Sequence, residues 1–291
     1  MTFAVPALLR ESQGVSDEGR TWLGELPAAV AEVAARWSLQ VGKPFAPGGQ
    51  TAWVAPAYDR TGRDLVLKVG RAHEEAEHEA PGLLAWRGRG AVEVHASARL
   101  PGTVALLLER CRPGVPLGQA LGEPEQDVIV TRLLVRLHTA PVQGPFRPLQ
   151  AMCDLWAAGF RRRLAGAPPG TLDPGQARDA AELFAALPRT ADRQVLLCTD
   201  LHAGNVLSAE REPWLVIDPK PYVGDPCYDV LQHALNCPQR LVADPVGLAH
   251  RLAALAGLDA DRVRRWLFAR CTIDALEHPH LADAARVLAP F

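Results

Sequence analysis

The apolar positions of this chain follow one rhythm before Cys111 and another after it. A helical pattern ending near Trp37 comes first, followed by short apolar runs broken by turn residues. AWVAPAYDRTGRDLVLKVG predicts two strands around the turn Asp59-Arg60-Thr61-Gly62, and AVEVHASARLPGTVALLLER predicts two more, turning at Pro101-Gly102. Between these pairs, AHEEAEHEAPGLLAWR carries helical spacing, with Ala72, Ala76, Glu79, Leu83 and Trp86 at steps of four and three. Pro81 is expected to kink or restart that helix just after Glu79.

Past CRPGVPLG the pattern turns helical. DVIVTRLLVRLHTA, CDLWAAGFRRRLA, GQARDAAELFAAL and several C-terminal segments predict helices, and the Pro/Gly-rich GAPPGTLDPG is a loop between two of them. The expectation is an α+β chain of two lobes. Residues 1–110 form a small lobe with an antiparallel sheet and one main helix, 111–118 a hinge, and 119–291 a larger, mostly helical lobe. No internal repeat of solenoid length interrupts this scheme.

Composition narrows the functional classes. The chain has 291 residues, enough to bury a large core in one domain or two lobes. A formal charge of −2 gives no electrostatic reason to expect nucleic acid or an anionic membrane as partner. No apolar run approaches transmembrane length, and Arg10 precedes any long apolar segment, so neither a spanning helix nor a signal peptide is expected. Six cysteines are scattered singly without a C-x-x-C pair, which argues against zinc and for a reduced, cytoplasmic protein.

The candidate chemistry lies in CTDLHAGN and the segment after it. In NVLSAEREPWLVID, two apolar stretches flank the polar turn Ala209–Glu212, so pairing as a hairpin would bring Asn205 and Asp218 together at its open end. Asp200 lies in the loop entering the first strand and can reach the same place. Three oxygen-bearing side chains would then converge, and Mg²⁺ prefers such ligands. Phosphoryl transfer uses this arrangement, with a carboxylate accepting the proton of the attacking hydroxyl and metal ions neutralising phosphate oxygens. The Asp200–Asn205 spacing equals D-x-x-x-x-N of the protein-kinase catalytic loop, although Asp and Asn are also common turn residues.

A second feature stands upstream. Lys68 interrupts the apolar strand LVLKV, and Glu79 sits on the apolar stripe of the following helix, facing the sheet. Pairing the two would resolve both anomalies and would match the lysine–glutamate pair that kinases use to hold nucleotide phosphates. PFAPGGQTAW, with Gly48 and Gly49, is a turn whose backbone could approach phosphates or simply join two strands. No G-x-x-x-x-G-K-[ST] is present, which argues against a P-loop kinase.

With Lys68, Glu79, Asp200, Asn205 and Asp218 in this order, the chain resembles the aminoglycoside phosphotransferases of the protein-kinase-like fold. More narrowly it resembles their streptomycin 6-phosphotransferase and hydroxyurea phosphotransferase branch. The words GGQTAWVAPA, LVLKVG, HEEAEHEA, LLLERC, DLHAGNVL, WLVIDPKPYVGDPCYD and LFARC carry the resemblance over most of the chain, and IDPKPYVGDPCYD is the most specific. The resemblance implies ATP and Mg²⁺ as cofactors, Asp200 as catalytic base, and Asn205 and Asp218 as metal ligands. It also implies that Lys68 contacts the ATP phosphates beside Glu79, and that the backbone of Glu109-Arg110-Cys111 meets adenine. Asp225 and Asp229 correspond to positions that brace the loop and cap the next helix. Family members read His-Gly-Asp where this chain reads Cys198-Thr199-Asp200.

The acceptor implied is a small molecule with a hydroxyl group, a cationic aminoglycoside or hydroxyurea foremost. A polycation calls for acidic groups, and Arg270, Asp274 and Glu277 fall at i, i+4 and i+7 of a predicted helix; Asp274 and Glu277 are the candidate substrate contacts, against a solvated strip with an Arg270–Asp274 pair. Two alternatives stand beside this reading: a kinase of a choline-, homoserine- or sugar-like alcohol, and a nucleotide-binding pseudokinase in which Cys198-Thr199 marks lost catalysis.

Overall fold

The structure is a computed structural model that describes residues 3–74 and 76–289. Its chain divides into two compact units: Met1–Gly114 with Ser208–Leu215, and Val115–Leu207 with Val216–Phe291.

The first unit is built on a five-stranded antiparallel sheet. In sequence order its elements are α1 (Ala7–Gln13), α2 (Asp17–Trp37), β1 (Gln40–Val41), β2 (Ala52–Tyr58), β3 (Asp64–Arg71), α3 (Glu79–Trp86), β4 (Val94–Leu100) and β5 (Thr103–Glu109). The strand order is β1-β2-β3-β5-β4, which places β3 at the centre, paired on both edges. Lys68 therefore lies opposite Val54 on one side and Leu106 on the other. The two-residue period of β3 sends Leu65, Leu67 and Val69 into a core with Trp22, Leu26, Val30 and Val33 of α2. Lys68, one step out of phase, is carried to the opposite face. Helix α2 starts where the Ser16 side chain accepts the Gly19 N–H, and it is anchored by Trp22 Nε1, which donates to Thr103 Oγ1 at 3.0 Å.

The expected strands and both turns are present, but the helix after β3 is shorter than its spacing predicts. A single 3₁₀ turn, Ala76–His78, precedes α3, which begins at Glu79 rather than Ala72. Pro81 accounts for this. Lacking an N–H, it is best accommodated in the first turn, where that donor has no intrahelical partner in any case.

The second unit is mainly helical: α4 (Leu117–Ala120), α5 (Glu123–Leu137), α6 (Leu149–Ala165), α7 (Pro174–Ala186), α8 (Leu231–Leu235), α9 (Pro238–Ala243), α10 (Pro245–Ala256), α11 (Ala260–Asp274) and α12 (Leu281–Leu288). The short strands β6 (Val195–Leu197), β7 (Val206–Ser208), β8 (Trp214–Val216) and β9 (Tyr222–Gly224) lie between α7 and α8, with β7 paired to β8 and β6 to β9. Phe184, Tyr228 and Trp266 meet edge to face in the core, Tyr228 and Trp266 at 5.0 Å between centroids. Asp127 of α5 is fully buried, yet it accepts from His233 at 2.9 Å, Arg240 at 2.7 Å and Arg251 at 2.7 Å, which ties α5 to α8, α9 and α10. Among the described residues no helix is long and apolar enough to cross a membrane.

Candidate active site

The loop from Cys198 to Asn205 links β6 to β7 and is fastened at both ends. At its entry, the Asp229 carboxylate accepts the N–H of Cys198 at 2.9 Å and of Thr199 at 2.6 Å, and it also pairs with His138 Nε2 at 2.8 Å. Asp229 is fully buried, so these three contacts offset the desolvation of its charge. The pairing of β6 with β9 sets Leu197 opposite Tyr222, and just beyond it the Lys220 N–H donates to the Cys198 carbonyl at 2.9 Å. Thr199 Oγ1 donates to the Lys220 carbonyl from a backbone at φ 54°, a region a β-branched residue rarely enters.

Asp200 follows at once, with its own N–H turned back to the Cys198 carbonyl at 2.8 Å. Its Oδ2 lies 3.1 Å from Lys220 Nζ, and the aspartate side chain is 16% exposed. Asn205 Nδ2 donates to the Asp200 carbonyl at 2.9 Å, which fixes the amide so that its Oδ1 remains as an acceptor. The Ile217 N–H donates to the Asn205 carbonyl at 2.9 Å, extending the β7–β8 hairpin to the residue before Asp218. Asp218 itself adopts φ 54°, which Asp tolerates better than most residues.

The other two side chains of the loop are kept neutral. Burial pushes the His202 pKa down, against the Asp200 carboxylate that raises it, and the ring Nδ1 accepts the Gly204 N–H at 3.1 Å. Burial, and after it the negative charge of Asp229, pushes the Cys198 thiol far up, so this cysteine is packing rather than a nucleophile.

The donor set at the loop fits Mg²⁺. A carboxylate and an amide oxygen are hard ligands, and Mg²⁺ commonly takes one or two carboxylates together with phosphates and water. Among the described residues there is no cluster of three or more His, Cys, Asp or Glu side chains that could hold a metal without such help.

In the first unit, Lys68 Nζ lies 2.7 Å from both carboxylate oxygens of Glu79, and the two side chains are only 13% and 6% exposed. Gly48 has φ 84°, and a Cβ there would sit 2.6 Å from the Pro6 side chain, so its glycine is required by internal packing. Gly49 is more open, with the Ala52 carbonyl 3.7 Å from the place of a Cβ. Glu109 ends β5 and its side chain is committed to Arg211, at 2.9 Å from Nε and 2.8 Å from Nη2. Burial first, and the Glu109 charge second, push the half-buried Cys111 thiol up to about 12.

The remaining predicted residues have other partners. Asp274 pairs with Arg270 at 2.6 Å, and Arg270 also donates to the Tyr228 hydroxyl and stacks 4.3 Å over Trp156. Helix α11 ends at Asp274, so Glu277 is not on the predicted helical strip; it lies in the following turn, 3.4 Å from Arg163. Both acids line a cleft of about 390 Å³ that also carries Arg162, Arg163 and Arg270. Asp225 is buried, capping the turn at Cys227 and accepting from Arg262 and Trp266 Nε1 at 2.6 and 2.7 Å. The sequence reasoning missed Lys220 altogether, although its place between two prolines inside the most specific word of the resemblance was a signal.

Comparison with known proteins covers most of the chain. Residues 36–279 match the family described as aminoglycoside/hydroxyurea antibiotic resistance kinase. A hydroxyurea phosphotransferase of Kitasatospora aureofaciens is 38% identical over 271 residues, covering 89% of this chain and 74% of the relative. A streptomycin 6-kinase of Streptomyces glaucescens is 32% identical over 281 residues, covering 93% and 89%. Among solved structures, a choline/ethanolamine kinase family protein from Mesorhizobium loti aligns with a TM-score of 0.64 at 15% identity, covering 91% of this chain and 95% of its own. The aminoglycoside phosphotransferase APH(4)-Ia aligns at 0.61 and 16%, covering 90% and 96%; identities this low speak for the fold alone.

Proposed function

The chain belongs to the aminoglycoside/hydroxyurea antibiotic resistance kinase family, and we propose that it transfers the γ-phosphoryl group of ATP to the hydroxyl of a small-molecule antibiotic. It is a phosphotransferase by that membership, with a nucleotide as donor. The observation that carries the specific reading is Asp200, whose Oδ2 lies 3.1 Å from Lys220 Nζ and whose carbonyl accepts from Asn205 Nδ2. A carboxylate in that state can orient a hydroxyl and accept its proton as the oxygen attacks phosphorus.

The other roles follow the chemistry of each side chain. Asn205 Oδ1 and the Asp218 carboxylate would hold Mg²⁺, which when bound neutralises charge on the phosphate oxygens. Lys68, steadied by Glu79, would contact the nucleotide phosphates. Gly49 is the better placed of the two glycines for a phosphate to approach, since the approach at Gly48 is filled by Pro6. The backbone of Glu109–Cys111 would meet adenine, with 111–118 as the hinge between residues 1–110 and 119–291; the Glu109 side chain is left to Arg211. Such an enzyme acts where ATP is abundant, in the cytoplasm.

The charge around the candidate acceptor contacts favours a small neutral acceptor over a polycation. Asp274 and Glu277 each face an arginine, and their cleft holds three arginines against two carboxylates. Hydroxyurea is neutral and streptomycin is cationic, so a hydroxyurea-type N–OH is the first acceptor to test. The experiment is ATP consumption with hydroxyurea, streptomycin and a panel of metabolite alcohols run side by side. Asp200→Ala should lower turnover by about 10²–10⁴-fold, the usual contribution of a general base, without loss of fold. Wild-type turnover in Asp200→Ala would remove that role. Nucleotide binding without consumption of any acceptor would favour the pseudokinase.

A further inference from the structure

The loop holds a cation that none of these roles uses. Lys220 Nζ is 3.1 Å from Asp200 Oδ2, with the aspartate side chain 16% and the lysine side chain 35% exposed. An isolated pair at such exposure would contribute little, because solvent screens it and the long side chain resists ordering. Lys220 is not isolated in that sense. It stands between Pro219 and Pro221, whose rings each fix a φ angle, so the peptide on either side is stiff. Its N–H is tied to the Cys198 carbonyl and its own carbonyl accepts from Thr199 Oγ1. Both polar groups of its backbone are thus fastened to the two residues that immediately precede Asp200.

Thr199 makes this more than a coincidence of packing. At φ 54° glycine would sit without strain, whereas a β-branched residue is held there against its preference. Glycine, however, has no hydroxyl to donate to Lys220. The strained threonine and the proline-flanked lysine form one device, and its outcome is an Asp200 carboxylate paired with Lys220 through Oδ2.

We infer that Lys220 is a positioning residue for phosphoryl transfer. Its ammonium holds Asp200 Oδ2 so that Oδ1 meets the acceptor, and the Thr199 hydroxyl keeps Lys220 within reach. The inference rests on Asp200 being the base.

The test compares Lys220→Met, Lys220→Arg, Thr199→Ala, the double variant Thr199→Ala/Lys220→Met, and Asp200→Asn. Mg-ATP is the donor, and water, hydroxyurea and streptomycin are the acceptor probes; slow hydrolysis to water reads out even if neither antibiotic is accepted. Lys220→Met should lower kcat by about 10–100-fold while the KM for ATP moves by less than about threefold, the pattern for loss of an interaction that matters in the transition state. Lys220→Arg should recover most of the loss, and Thr199→Ala should show a smaller loss that does not add to that of Lys220→Met, as expected for residues acting through one contact. The thermal midpoint and the ATP-induced thermal shift should remain near wild type in each. Wild-type kcat in Lys220→Met, or no recovery with arginine, or full additivity with Thr199→Ala, overturns the inference. Asp200→Asn separates the two levels. If it is inactive while Lys220→Met is normal, only the positioning role fails; if it is fully active, the reading of Asp200 as base fails and the positioning role with it.

Discussion

At the scale of single residues, opposing effects of similar size decide what a substitution does. Holding Thr199 at φ 54° costs of order 1–3 kcal/mol, the usual range for strained backbone. Replacing it with glycine would relieve that strain, but would lose a hydrogen bond worth about 1 kcal/mol and add about 0.5–1 kcal/mol of unfolded-state entropy. These nearly cancel. Thr199→Gly should therefore leave the urea midpoint almost unchanged while lowering turnover, and a drop in stability of several kcal/mol would show that the threonine serves the fold instead. Cys111 allows a second prediction at this scale. Its pKa of about 12, set by burial and then by Glu109, leaves a thiolate fraction on the order of 10⁻⁴ at pH 8, and the thiolate is the reactive species. Iodoacetamide at pH 8 should leave Cys111 unlabelled for hours in the folded protein and modify it rapidly in urea.

At the scale of elements, Asp127 shows how a buried charge can organise helices. Burial alone would push its carboxyl pKa up, but hydrogen bonds from His233, Arg240 and Arg251 outweigh burial and hold it well below the usual carboxylate range. Removing one partner from a buried ionic cluster costs about 3–5 kcal/mol, so Asp127→Asn should lower the urea unfolding free energy at pH 7 by about that much. The folded pKa is depressed, so the stabilisation is fully present above the unfolded value near 4 and is lost as the pH falls towards the folded one. The gap between wild type and Asp127→Asn should shrink below about pH 4; a constant gap down to pH 3 would locate the effect outside ionisation. None of this was legible in the sequence, because His233 lies 106 positions and Arg251 124 positions from Asp127. The strands were legible because short apolar runs such as Leu65–Val69 are bounded by turn residues, and Lys68 was conspicuous as the charge that interrupts that run. The pairing that sets Ile217 against Asn205 was legible because two apolar runs flank one polar turn. The start of α3 was misread because helix-forming residues from Ala72 onward outweighed the rule that a proline such as Pro81 belongs in a first turn. Lys220 was passed over because its partner Asp200 belongs to a different strand connection, and no local spacing joins them.

At the scale of the whole molecule, the question is whether binding and chemistry can be separated, since that distinguishes an active kinase from a nucleotide-binding pseudokinase. A ligand that binds only the folded chain stabilises it by RT ln(1 + [L]/Kd), about 2.7 kcal/mol at 100 times Kd. In a protein of this size that corresponds to a rise in Tm of about 5–10 °C, taking 2–4 °C per kcal/mol. Lys68→Met removes the cation proposed to meet the phosphates, so most of the shift with Mg-ATP should disappear. Asp218→Asn removes the carboxylate proposed for the metal, so the shift should lose its dependence on Mg²⁺ while part of it survives with ATP alone. Asp200→Asn touches neither contact and should keep the full shift although turnover is lost. Differential scanning fluorimetry on the three variants, with and without Mg²⁺, checks all three outcomes at once. If Asp200→Asn and Lys68→Met lost the shift equally, the division between a nucleotide-holding lysine and an acceptor-facing aspartate would be wrong. If only Lys68→Met lost it and wild type turned over no acceptor, binding without transfer would be the function left to explain.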